Sequence, residues 1–99
     1  MNNNEQSAYQ EKMEAKLGKL QAEIQRLEAE VKERKADRRM DAQARLDHLR
    51  QRADAARDKL HELRGASGAA WSQTKDGFAS AWRDLEAGCK KAREEFKRR

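Results

Sequence analysis

No proline occurs in these 99 residues, and only Ile24, Val31 and Thr74 are β-branched. Proline breaks helix interiors, whereas strands draw on β-branched and aromatic side chains. Aromatic residues make up only 5% of the chain, so a sheet has almost nothing to be built from. Alanine, leucine and charged residues fill most positions, and all suit a helix. Cys89 is the sole cysteine, which excludes an intrachain disulfide and suits a reducing compartment. No apolar run approaches the ~20 residues needed to span a bilayer. Residues 1–6 lack the apolar centre of a secretory signal. The expectation is an all-α, soluble, cytoplasmic protein.

Charged residues are 41% and hydrophobic residues 36%, where compact domains carry about a quarter charged and nearly half apolar. The apolar residues suffice for a narrow stripe on each helix and not for a thick core. Their strong periodicity argues against disorder, except in the polar tail 1–7. The net charge of +5 is mostly interleaved: residues 1–64 hold 15 Lys/Arg against 13 Asp/Glu. Two local basic excesses stand out, at residues 32–39 and 90–99. Either could meet phosphate or anionic lipid, and a solvated helix face is the plainer reading.

Ser7 and Gln10 fit a capping box that would start a helix at residue 8. Apolar residues then recur at Tyr9, Met13, Leu17, Leu20, Ile24, Leu27 and Val31. From Leu17 the steps alternate three and four, which is a heptad seam. The seam fails at Arg34 and Arg38 and resumes, shifted in phase, at Leu46, Leu49, Ala53, Ala56, Leu60 and Leu63. Without Gly or Pro in between, one long helix over 8–64 is expected. A turn near residues 36–41 would instead give three helices of similar length, as in a spectrin-type bundle.

Residues 65–68, Gly-Ala-Ser-Gly, are the clear break. Gly65 suits the left-handed position after a helix, and Ser67 can cap the next one. The amphipathic helix expected over 69–98 carries an 11-residue repeat. Trp71, Gly77 and Ala81 recur as Trp82, Gly88 and Ala92. Eleven residues are close to three turns. Trp71, Phe78, Trp82, Leu85, Cys89 and Phe96 therefore share one arc. The two glycines beside it suggest close approach of another backbone. The arc should fold back antiparallel on Ala53 and Ala56 as a helical hairpin, covering only about half of the long helix. That would leave Leu17, Leu20, Ile24, Leu27 and Val31 bare, as a seam for a second copy or another coiled coil.

Residues 9–17, the turn 66–71 and Ala81-Trp82-Arg83-Asp84-Leu85 together resemble a family of small bacterial coiled-coil proteins associated with stress response. The resemblance runs over nearly all of residues 9–96. It implies a helical, non-enzymatic protein with a stress-related role and no catalytic residues.

The chemistry-bearing residues agree with that implication. His48 and His61 are not one turn apart, so they do not form a helical metal pair. Cys89 lies on the apolar arc and reads as a small buried residue. No Gly-rich phosphate loop is present. A basic region of the bZIP kind would need to run into a long zipper, and 32–39 does not; nucleic acid is not the expected partner. The expected function is a non-enzymatic coiled-coil interaction protein without cofactor or metal, self-associating or pairing with another coiled coil. The alternative is reversible binding to an anionic membrane or lipid-granule surface. There the arc of Trp71, Phe78, Trp82, Leu85 and Phe96 would lie in the head groups, with Lys75, Lys90, Arg93 and Lys97 beside it.

Overall fold

The computed structural model describes residues 3–97 and contains three α-helices, α1 (Asn3–Lys32), α2 (Ala36–Gly65) and α3 (Ala69–Lys97). They have 30, 30 and 29 residues. Ion pairs join Glu14 to Arg64 and Glu28 to Arg50, so α1 and α2 run antiparallel. Arg45 pairs with Glu95, while Arg52 reaches the Asp84 carbonyl, so α2 and α3 are antiparallel too. The result is an up-down-up bundle measuring 52 × 18 × 18 Å. Its radius of gyration is 15.8 Å. A compact domain of this size would have about 13 Å, so the molecule is a short rod.

The long helix expected over 8–64 is therefore two helices, and the chain reverses at residues 33–35. Its turn lies just before the stretch where the three-helix alternative placed one. Burial decides this. Met13, Leu17, Ile24, Leu27 and Val31 are all buried within the chain, Val31 completely. Each such side chain stabilises the fold by about 1.5–3 kcal/mol. Interrupting an exposed helix removes a few hydrogen bonds of about 0.5–1.5 kcal/mol each. Reversal wins, and the seam that looked bare is covered by the chain itself.

The turn manages without glycine. Lys35 takes an extended conformation, φ −63° and ψ 151°. The amides of Glu33 and Arg34 close the last turn of α1 on the carbonyls of Glu30 and Val31, at 3.2 and 3.1 Å. The Arg39 guanidinium donates back to the Arg34 carbonyl at 3.1 and 3.3 Å. These bonds satisfy groups that a helix end leaves open.

Two smaller expectations also change. Residues 3–7 belong to α1, so the polar tail over 1–7 is helical from Asn3 onward, and residues 1–2 lie outside the described residues. Ser7 sits inside a helix and does not start one. At the second turn, Gly65 is the last residue of α2, and Ala66 follows it in an extended conformation. The left-handed residue is Gly68, at φ +50°. The Ser67 carbonyl accepts the Ala70 amide at 3.1 Å, and no side-chain cap from Ser67 is needed.

The middle helix serves both neighbours. Its buried residues are Ala42, Leu46, Leu49, Ala53, Ala56, Leu60 and Leu63. The three alanines let the backbones of α1 and α3 come close to α2. Between α1 and α3 the space is filled by long side chains. Tyr9 meets the edges of Trp71 and Phe78, with ring centroids 6.2 and 6.3 Å apart. Phe78 is completely buried beneath these contacts and beside Trp82. Phe78→Ala should lower unfolding free energy by about 3–5 kcal/mol. Met40→Ala, at a position 76% exposed, should change it by less than about 0.5 kcal/mol. Urea unfolding followed by circular dichroism measures both.

Candidate functional site

The arc on α3 lies where its periodicity put it, and it faces inward. Trp71, Phe78, Trp82, Leu85, Cys89, Ala92 and Phe96 are all buried against α1 and α2. The five residues considered for a lipid face, Trp71, Phe78, Trp82, Leu85 and Phe96, thus form core. Of the basic residues beside them, Lys75 lies 4.6 Å from the centre of the Tyr9 ring. Arg93 pairs with Glu23 of α1. The proposed oligomer seam is core as well. Leu17, Ile24, Leu27 and Val31 are buried, and Leu20 is partly buried against the same cluster.

Tyr9 has a larger part than the sequence reading gave it. In the sequence it is the first seam position, one helical turn before Met13. In the structure it is the edge on which both Trp71 and Phe78 pack. Its spacing to Met13 and Leu17 was the available signal. What lay out of reach was the parallel pairing of α1 with α3.

The two glycines of the repeat are not equivalent. A methyl group at Gly88 would lie 2.6 Å from Arg52 Nη1 and 2.8 Å from Leu49 Cδ2. The close approach expected there is real, but α2 side chains make it. At Gly77, and likewise at Gly18, nothing lies within 4 Å. Both are helix interiors where glycine costs about 0.5–1 kcal/mol relative to alanine. Gly77→Ala and Gly18→Ala should each raise stability by that amount. Gly88→Ala should lower it by about 1–3 kcal/mol through overpacking. Three denaturation curves compare them.

Cys89 is completely buried. Burial, with the nearby Glu23 carboxylate adding to it, pushes its thiol up to about 11. Thiolate chemistry needs the opposite shift. The sign of the linkage is definite. The folded chain holds the thiol proton more tightly than the unfolded chain, whose value lies near 9.0. The contribution is whole below that pH and lost as pH rises toward 11, by about 2–3 kcal/mol. The Tyr9 phenol is also raised by burial and acts in the same direction above its ordinary value of 10.0. Melting temperature should fall between about pH 8 and pH 11 less steeply in Cys89→Ala than in the natural chain, with Tyr9 common to both.

His48 and His61 are exposed on α2. Among the described residues no group of three or more His, Cys, Asp or Glu side chains could hold a metal ion. Among the described residues no polar or charged residue is buried as a whole, so most of the polar chemistry lies on the outside of the rod. No described helix is long and apolar enough to cross a membrane.

One outer feature was visible in the sequence only as two separate segments. Arg34, in the first turn, stacks 4.4 Å from the centre of the Phe96 ring in the last turn of α3. Arg34, Arg38, Asp41, Arg45, Glu95 and Phe96 are among the residues that line one cleft between α2 and α3. Residues 32–39 and 90–97 therefore share one end of the bundle.

Comparison with protein-family models, with curated proteins and with solved structures found no match to this chain.

Proposed function

We propose that this chain is a non-enzymatic helical interaction protein that acts through the charged exterior of a preformed rod. The observation that carries the reading is the division of the molecule. The buried hydrophobic residues form one continuous cluster shared by all three helices. Polar and charged side chains are left at the surface, and they are what another molecule would meet. The resemblance to bacterial coiled-coil stress proteins supports a role in stress response. That link is tested by measuring abundance under osmotic, oxidative and envelope stress. A rise under at least one supports it, and constant abundance under all three removes it.

Self-association is kept as the alternative to a single-chain rod. The seam of Leu17, Leu20, Ile24, Leu27 and Val31 could reach a second copy only if helices were exchanged between chains. Such exchange would make the melting temperature rise with protein concentration. We expect a mass of one chain at tens of micromolar and a melting temperature independent of concentration. Ile24→Lys would put a charge at a position 4% exposed and should unfold the chain at any concentration. A wild-type dimer that Ile24→Lys converts to folded monomer would restore the intermolecular seam.

The second reading is reversible binding to a membrane or lipid granule by opening of α3. The length of its apolar arc and the Gly68 hinge favour it. Opening would expose Cys89, so a thiol reagent should label it faster when vesicles are added. Unchanged labelling in the presence of bound vesicles would remove this reading.

A further inference from the structure

The surface charge of the rod is uneven. Residues 32–39 and 90–97 hold nine Lys/Arg against four Asp/Glu, and the sequence adds Arg98 and Arg99. The rest of the chain holds 12 Lys/Arg against 14 Asp/Glu. Folding brings the two basic segments to the same end, so one end carries the positive excess and the remainder is slightly acidic.

Fold stability accounts for part of this placement: Arg39 donates to the Arg34 carbonyl and Arg34 stacks on Phe96, while among the described residues Lys35 and Arg38 have no such contact. Lys32 and Lys97 lie in the last turns of α1 and α3, where a base complements the helix dipole. Lys35, Arg38 and Arg39 lie at the start of α2, where the dipole is positive and a base is unfavourable. Asp37 is the only acid in that first turn. The positive ends of side chains and backbone therefore add there. One turn further along α2 is Met40, 76% exposed and the only large exposed hydrophobic residue among those described. Ala36, Arg39, Gln43, Ala44 and Asp47 surround it.

We propose that this end of the bundle docks on an anionic lipid surface, with Lys32, Lys35, Arg38 and Lys97 meeting head groups and Met40 entering the interface. The proposal deepens the interaction-protein reading and rests on it. An excess of bases at one end, with an exposed apolar side chain one turn away, is the chemistry of interfacial binding. A phosphodiester backbone would give Met40 no role. The bundle end is about 18 Å across, and no helix lies lengthwise over it to enter a groove as nucleic-acid readers do. A flat surface fits it better than a duplex. The docking needs no opening of α3, which separates it from the lipid reading above.

The test is sedimentation with vesicles of phosphatidylcholine alone and of phosphatidylcholine mixed with phosphatidylglycerol, at low and raised salt. The natural chain should bind the mixed vesicles only, and salt should weaken binding. The double variant Lys35→Glu/Arg38→Glu should bind at least about 30-fold more weakly. It should melt at or above the temperature of the natural chain, because acids suit the start of α2. Loss of binding with retained stability is a pairing that misfolding cannot produce. Lys12→Glu/Lys16→Glu makes the same charge change toward the opposite end, about 30 Å away, about three Debye lengths at 0.1 M salt, and at that salt should bind within about threefold of the natural chain. Met40→Gln should weaken binding severalfold. Cys89 labelling and tryptophan emission should stay unchanged on binding.

The proposal is overturned by no binding to mixed vesicles at low salt, by equal loss in both double variants, or by exposure of Cys89 on binding. Duplex DNA bound more tightly than the vesicles, with the same sensitivity at Lys35 and Arg38, would assign the end to nucleic acid. That outcome overturns the lipid proposal and leaves the interaction-protein reading standing. An absence of binding to either, with the stress test positive, separates the two claims in the same way.

Discussion

The structure depends on a shortage of apolar surface. A chain with narrow apolar stripes cannot leave one uncovered, because small domains bury a small share of their surface and are marginally stable. The seam of α2 answers the shortage by serving two neighbours. Leucines at 46, 49, 60 and 63 supply volume, and alanines at 42, 53 and 56 supply proximity. α3 complements that narrow seam with Trp71, Phe78 and Trp82. α1 fills what remains with medium-sized side chains and one aromatic ring, Tyr9. Large residues against small ones allow dense packing where neither helix alone is very hydrophobic.

The same shortage explains which parts of the fold could be read from the residues. The helical class was legible because absence of proline and of β-branched residues acts locally. The α3 arc was legible because periodicity is a property of a single helix. The reversal at residues 33–35 was not. It uses Glu33, Arg34 and Lys35, none of which marks a turn, and its cause is burial of a seam that begins some twenty residues earlier. The phase shift between Val31 and Leu46 was its only local trace. A hairpin model read that shift as poor packing in a continuous helix. A three-helix model reads it as a corner, because the two seams then meet face to face and need no common phase.

Repetition in sequence did not become repetition in environment. Gly77 and Gly88 occupy the same place in the 11-residue repeat, yet one faces open space and the other lies under Leu49 and Arg52. A repeat fixes position around its own helix. What stands opposite depends on α2, which carries no matching 11-residue period. The basic end likewise needed the tertiary structure. Each basic segment alone was compatible with an ordinary solvated face, and only the antiparallel return of α2 and the upward run of α3 join them.

Arginine and lysine divide the surface between them. The ties across helices use Arg45, Arg50, Arg64 and Arg93, with Arg52 donating to a backbone carbonyl. Among the described residues, the lysine contact across helices is Lys75 over Tyr9. A guanidinium offers several donors in a fixed plane and holds a carboxylate at a defined angle, whereas an ammonium is a mobile point charge. These pairs are exposed, and each contributes at most about 1 kcal/mol. Their effect lies in register: Glu14, Glu23, Glu28 and Glu95 each find a partner only when the helices are aligned as they are. Arginine thus adds to the alignment that the packing of large residues against small ones already favours. Lysines at 32, 35, 90, 91 and 97 remain outward, with no part in that alignment, on the end of the rod where positive charge collects.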